Sequence, residues 1–337
     1  MLSLCFPFLF LLLLAAAPEI QAYPNPEPCK GVCDYVHDPT VVRRASDGTY
    51  FRFVTFEDIQ IATAPTMQGP WENQGPVLPN GTSIFIAGEN TDSTWAPDAH
   101  LIGDTYYLYY AVSSSGSQNS QIGVATSRTM EPGSWTDHGS LGIPSSLAYN
   151  LIDPNLYILN GPTGPNYFLT FGSYWDGIYQ IPMTDPLTIA PHADPQNLAF
   201  NPDGIHPVEG SYQFWWPTNG IPYYYLFLSV GICCNKPPNL PPPGQEYHIT
   251  VCRSISPTGP FYDRNGDDCL AGGGTTVLAS HDDVYAPGGE GVLYDPEENS
   301  IVLYYHYINP KIGYGVENYQ FGYNFLTMDA LGWPVLV

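Results

Sequence analysis

YVHDPTV, residues 35–41, sets an Asp-Pro pair at the head of a short apolar run, and NLIDPNL, residues 150–156, does so again more than a hundred residues later. Asp-Pro also occurs at 185, 194 and 295, where it reads as turn chemistry. The pair at 38 and 153 differs because it belongs to a longer period. An acidic residue, a short strand, a turn and a Tyr-rich strand recur in HDPTVV (Asp38), WAPDAHLIGDTYYLYY (Asp98), LIDPNLYILNGPTGPNYFLTF (Asp153), HPVEGSYQFWWPTNGIPYYYLFLSVG (Glu209) and VYAPGGEGVLYDPEENSIVLYYHYIN (Glu290). The last step is lengthened by an insertion, CCNKPPNLPPPGQEY at 233–247. Three units share a closing tag: TAPTMQGPW at 63–71, TSRTMEPGSW at 126–135 and SISPTGPF at 254–261.

Five β-units, each somewhat longer than the roughly 40–50 residues of a four-stranded blade, predict an all-β fold, a five-bladed β-propeller. The rival is a β-sandwich of several domains, but no linker divides the chain, so residues 23–337 are read as one catalytic domain. In a propeller the innermost strand of every blade lines one central channel. Residues at the starts of those strands therefore meet at the axis, and proline holds the residue before it extended.

Composition agrees. The chain has 26 Tyr, 35 Pro and 33 Gly, with charged residues at 12%. A net charge of −23 opposes phosphate backbones and anionic lipid, which excludes nucleic acid and membrane surfaces as expected partners. MLSLCFPFLFLLLLAAAPEIQA, residues 1–22, reads as a secretory signal peptide cut after Ala22, and predicts an extracellular protein. Cys5 leaves with it. The remaining Cys29, Cys33, Cys233, Cys234, Cys252 and Cys269 favour disulfides over a metal site. Cys29 and Cys33 are expected to form a local clasp, and the neighbours Cys233 and Cys234 to bond to two separate partners, since a ring across one peptide is strained. Asn80 heads an N-glycosylation sequon, NGT.

The chemistry sits in the carboxylates. Asp38, Asp153 and Glu209 fall in blades one, three and four, and hydrolysis of a glycosidic bond needs one carboxylic acid and one carboxylate. A third like charge raises the pKa of the acid. Trp95, Tyr174, Trp175, Trp215 and Trp216 flank the expected opening, and their rings suit the apolar faces of sugars. No nucleophile elbow, metalloprotease helix, phosphate loop or dinucleotide fingerprint is present.

With these residues in place the chain resembles glycoside hydrolase family 43, and within it the secreted fungal endo-1,5-α-L-arabinanases, from about Cys33 to Val337. HDPTVV, WAPDAH, NLIDPNL, HPVEGSY, GICCNKPPNLPPPGQEYHITVCRSISPTGPF and VYAPGGEGVLYDP carry the likeness. The resemblance implies an inverting enzyme with Asp38 as general base, Glu209 as general acid and Asp153 tuning the acid. His37, Trp95, Asp98, Tyr174 and Trp175 are the expected substrate-binding residues. Inversion requires the Asp38 and Glu209 carboxyls to stand about 6.5–9.5 Å apart. The implied substrate is arabinan, a neutral polysaccharide, cut by a monomer with no required cofactor. Family members carry a Gly-His pair in blade five that helps hold an axial metal. Here the stretch reads PGGEG, which leaves Glu290 and His306 as candidate ligands for a structural calcium. Cys233, Cys234, Cys252 and Cys269 form a C-terminal group by the same likeness. Two alternatives keep the fold: an exo-acting arabinofuranosidase or β-xylosidase, and a carbohydrate-binding propeller with little catalysis. Protein recovered from the culture medium is expected to begin at Tyr23, which N-terminal sequencing checks.

Overall fold

Val, Phe and Tyr fill the runs behind each acidic residue, and such side chains suit a pleated, half-buried surface. In the computed structural model, which describes residues 23–87 and 94–337, these runs become five antiparallel sheets arranged as the blades of a five-bladed β-propeller. The segment read as a signal peptide, 1–22, lies outside the described residues. Blade one is β1 (Thr40–Arg43), β2 (Tyr50–Val54), β3 (Gln60–Ala64) and β4 (Glu72–Pro76). Blade two is β5 (Thr94–Ile102), β6 (Thr105–Val112), β7 (Gln121–Ser127) and β8 (Thr136–Ser140). Blade three is β9 (Asn155–Gly161), β10 (Gly164–Phe171) and β11 (Ile178–Asp185), with β12 (Thr188–Ile189) and β13 (Gln196–Ala199) both pairing to β11. Blade four is β14 (Val208–Thr218), β15 (Ile221–Val230), β16 (His248–Ser254) and β17 (Thr275–Leu278). Blade five is β18 (Tyr285–Asp295), β19 (Ser300–Ile308), β20 (Tyr319–Met328) and β21 (Pro334–Leu336).

Side chains alternate across each strand, so a central strand feeds two cores at once. On β2, Phe51 and Phe53 pack against Leu108 and Tyr110 of blade two, while Tyr50 and Val54 face Tyr304 and Phe321 of blade five. The same division repeats around the ring, giving an apolar cluster at each of the five blade contacts.

The period is sharper in space than in sequence. Every inner strand has, just before it or within its first three residues, a residue with positive φ followed by proline, so that this residue is turned and not extended as expected: Asp38 (φ 43°), Ala96 (44°), Asp153 (54°), His206 (60°) and Ala286 (52°). Asp98, Glu209 and Glu290 therefore stand two, three and four residues beyond that point in their blades, and only Asp38 and Asp153 occupy it. Two residues further in, Thr40, Asp98 and Asn155 occupy one equivalent position. Each reaches round the axis to the next blade: Thr40 Oγ1 accepts the Ala99 N–H at 3.4 Å, Asp98 Oδ2 the Leu156 N–H at 2.7 Å, and Asn155 Oδ1 the Gln213 N–H at 2.8 Å.

The N-terminal segment closes the ring between blades five and one. Glu27 N–H donates to Tyr323 O at 2.8 Å and Phe321 N–H to Cys33 O at 2.8 Å, while Val32 N–H donates to Trp71 O at 2.9 Å. The expected Cys29–Cys33 clasp is formed within it. Behind it lies Arg52, 2% exposed, whose guanidinium rests 4.8 Å from the rings of both Trp71 and Phe321 and donates to Val32 O at 2.7 Å. Arg52→Ala is expected to lower stability by about 3 kcal/mol, since it removes a desolvated cation–π pair, a hydrogen bond and buried stem atoms. That is a fall in Tm of roughly 5 °C for a chain of this size, read by calorimetry.

Candidate active site

In each blade the chain enters at the axis and turns back at the end of its second strand, so two kinds of segment share one face. The loops after β2, β6, β10, β15 and β19 supply Phe56, Ser114, Tyr174, Cys234 and Val316 to a single cleft of about 710 Å³. The starts of the inner strands supply its floor, with His37, Asp38, Asp153 and Glu209. The three carboxylates read from the sequence thus come together.

Each is held differently. Asp38 Oδ2 accepts the Thr55 hydroxyl at 2.9 Å and lies 2.8 Å from His37 Nδ1. That second contact acts through charge first and hydrogen bonding second. His306 Nδ1 accepts the Asp38 N–H at 3.1 Å. Burial pushes the Asp38 carboxyl up, but the charge and contact of His37, together with His306 and Thr55, outweigh it and hold the group down at about 2. Glu209 goes the other way. Burial raises it, the Ser173 hydroxyl donating at 2.6 Å to Oε2 opposes that, and the Asp38 charge adds to the rise. Asp153 accepts the Gly210 N–H at 3.0 Å and is pushed well up by burial, then by the Glu209 and Asp38 charges. Asp153 and Glu209 together keep a proton beyond the ordinary carboxylate range while Asp38 is ionised.

The aromatic rings divide. Trp95, Tyr174 and Trp175 line the cleft, as does His37. Asp98 does not: it is 4% exposed and bonded to Leu156 N–H, Asn155 Nδ2 and His100, so it is an axial fastener rather than a substrate contact. Trp215 and Trp216 are also misplaced by the sequence reading. They lie six and seven residues down β14 from Glu209, roughly 20 Å at about 3.3 Å per residue, and Trp216 stacks on Tyr294 there.

Cys233 and Cys234 bond to each other, against the expectation of separate partners, and Cys252 bonds to Cys269. A positive φ at Cys234 (71°) bends the backbone enough for the ring to close. The candidate calcium ligands do not form a site. His306 is stacked on His37 at 4.3 Å, and burial pushes it down to about 3, so it is neutral. Glu290 accepts the Ser229 hydroxyl at 2.5 Å, and burial pushes it up to about 8. Among the described residues the ligand atoms gathered within 4.8 Å belong to His37, Cys233 and His306, two imidazoles and a disulfide sulfur. Calcium takes about 6–8 oxygens, which this set lacks. Blade five instead uses its glycines for close approach. A Cβ on Gly289 would lie 2.5 Å from Asp38 Oδ1, and one on Gly288 2.1 Å from the Tyr247 ring. Asn80 is exposed on the segment after β4.

Sequence reasoning missed Thr55, Ser173 and Tyr247, whose hydroxyl bonds Glu209. A signal existed: Thr55, Ser114, Ser173 and Cys233 all follow the Tyr- or Phe-rich second strand of their blades. Extending the period to that turn would have marked them.

The family model described as glycosyl hydrolases family 43 matches residues 32–334. An arabinan endo-1,5-alpha-L-arabinosidase A of Aspergillus niger is 51% identical over 322 residues, covering 95% of this chain and 96% of that one. A probable arabinan endo-1,5-alpha-L-arabinosidase C of Neosartorya fischeri is 48% identical over 97% of this chain and 98% of its own. Among solved structures, the Cellvibrio cellulosa alpha-L-arabinanase complexed with arabinohexaose superposes with a TM-score of 0.78 at 26% identity, covering 91% of this chain and 96% of that one. An endo-arabinanase of Bacillus licheniformis gives 0.77 at 29%, over 91% and 99%.

Replacing Asp153 by Asn removes one of the two carboxyls that hold a proton between them and keeps the side chain's size. The Glu209 carboxyl is then expected to lose its proton at lower pH than in the parent protein, which carbon-13 NMR of the side chain resolves.

Proposed function

Because this chain belongs to glycosyl hydrolases family 43, we propose that it cleaves internal α-1,5-L-arabinofuranosyl bonds of arabinan with inversion at the anomeric carbon. The single observation that carries this reading is the opposed ionisation of the carboxylates in one cleft: Asp38 is held down at about 2, while Glu209 and Asp153 are pushed up. An inverting hydrolase needs that opposition at the moment of attack.

In the reaction, ionised Asp38 takes a proton from a water molecule as its oxygen attacks the anomeric carbon. Protonated Glu209 gives its proton to the glycosidic oxygen, and the bond to the leaving sugar breaks. One water is consumed, and the charge leaves Asp38 as it appears on Glu209. Asp153, whose carboxyl shares a retained proton with Glu209, helps keep that proton at the site until the leaving oxygen needs it. Only this chain's residues and water take part in these steps.

The cleft supports action on a chain rather than on one terminal sugar. About 710 Å³ suits a ligand of drug size, about three pentose units. Trp95, Tyr174, Trp175 and Phe56 give apolar faces along it, as a neutral sugar requires. The segment read as a signal peptide and the disulfides support work outside the cell, and the reading takes the enzyme as a monomer.

The pH profile follows from the same assignment. The acid limb is set by protonation of Asp38, held down at about 2, and the alkaline limb by loss of the Glu209 proton, which burial and the Asp38 charge move upward. Product analysis on debranched arabinan tests the reading, with arabinoxylan run alongside. The wild type is expected to release short arabino-oligosaccharides and Glu209→Gln to lose about 10²–10⁴-fold in kcat while still binding the polymer. Arabinose as the sole product would reassign the enzyme to the exo class, and equal turnover by the variant would remove Glu209 as the acid.

A further inference from the structure

The reaction above makes no use of the Cys233–Cys234 disulfide, although the ring lies on the cleft wall. It stands near the start of the long loop between β15 and β16. Gly231 N–H, bonded to Pro207 O at 3.0 Å, and Ile232 N–H, bonded to Gln245 O at 2.8 Å, tie down the residues just before it. A bond between neighbouring cysteines joins both side chains and the peptide between them into one ring. Neither side chain then has the rotamer freedom that an ordinary loop residue keeps.

Both flanks of this ring touch residues beside the reacting carboxylates. On one side His37 Nε2 lies 3.5 Å from Cys234 Sγ and 3.9 Å from Cys233 Sγ. The other nitrogen of the same imidazole is the one 2.8 Å from Asp38 Oδ2. On the other side the Cys233 N–H donates to the Tyr174 hydroxyl, and Tyr174 stands in the field of Glu209. His37 is thus enclosed: His306 stacks on its face at 4.3 Å, Asp38 holds one nitrogen, and the sulfurs close off the other.

We propose that the Cys233–Cys234 ring is a positioning element for the general base, holding His37 against Asp38 so that the carboxylate stays aimed at the attacking water. This rests on the reading of Asp38 as the base. With the ring opened, the imidazole gains a free side toward the cleft and can swing away from Asp38. The Asp38 carboxylate then keeps only Thr55 and the contact with His306 to fix it, opposite the carboxyls of Glu209, Asp153 and Glu290. A displacement of about 1 Å at a reacting group costs about 10²-fold in rate.

The test is the kinetics of Cys233→Ser/Cys234→Ser on debranched arabinan beside the wild type. The expected result is a fall in kcat of about 10–100-fold with KM held within about threefold. On a His37→Gln background the same Ser pair is expected to cost less than about twofold, because the group it would hold is already gone. Cys29→Ser/Cys33→Ser, which opens the clasp in the closing segment, is expected to lower Tm and leave kcat as in the wild type. Should the Ser pair fail to fold, phosphine reduction of the folded wild type opens the exposed ring and gives the same readout. Mass spectrometry then confirms which pairs were cut, since Cys252 and Cys269 are buried.

A Ser pair with wild-type kcat and a lowered Tm would make the ring a staple for its loop and overturn the proposal. So would losses that simply add to those of His37→Gln. A wild type that cuts no arabinan would instead remove the function itself, and the role of the ring with it.

Discussion

The carboxylate of Asp98 accepting the N–H of Leu156 at 2.7 Å is the contact on which the rest of this propeller turns. An inner strand runs beside the axis with no neighbouring strand on that side, so its first N–H groups need acceptors that its own sheet cannot give. Thr40, Asp98 and Asn155 supply them for blades two, three and four from one equivalent position in blades one, two and three. Because the bonds run from blade to blade, they also fix how far each blade is rotated about the axis relative to the next. Asp38 and Asp153 sit two residues above Thr40 and Asn155. Their separation and direction are therefore inherited from the fastened layer beneath them, as a preorganised site requires.

That layer explains why five acidic side chains can crowd one axis. None is left as a bare buried charge. Asp98 is taken up in backbone and side-chain bonds, Asp38 is matched by His37, and Glu290 is pushed up to about 8, so that it is neutral below that pH. Asp153 and Glu209 settle their conflict by keeping a proton between them. The same burial thus gives opposite ionisation according to the neighbour supplied, a histidine for Asp38 and a second carboxylate for Glu209.

The fold was legible because its period is written in apolar runs, which every blade needs for its two cores. Asp38 and Asp153 were legible because they are the two acidic residues at the repeated position before proline. Asp98 was misread for the same reason. At that position the five blades carry Asp, Ala, Asp, His and Ala, so the period belongs to the backbone turn and not to acidity. Searching for the nearest acidic residue in blade two led two residues too deep, onto the fastener. Trp215 and Trp216 failed through length: being close to Glu209 in sequence carries little weight along an extended strand. The bond between Cys233 and Cys234 escaped because the rule against it concerns an ordinary peptide geometry, and the positive φ of Cys234 is not visible in its residue type.

Blade five shows how far the blades can diverge without loss of the ring. Where the resemblance led to a histidine at the axis, this chain has Gly288 and Gly289, and the space those glycines leave is taken by the Tyr247 ring and the Asp38 carboxylate. Tyr247 comes from the end of the same long loop that carries Cys233 and Cys234, and its hydroxyl reaches Glu209. The blade-four insertion and the blade-five glycines fit each other: the loop places a tyrosine at the axis where the neighbouring strand carries no side chain to block it. By that fit a single loop touches both the acid, through Tyr247, and the base, through the sulfurs beside His37. The distance between acid and base is then set within one covalent segment as well as by the packing of three separate blades.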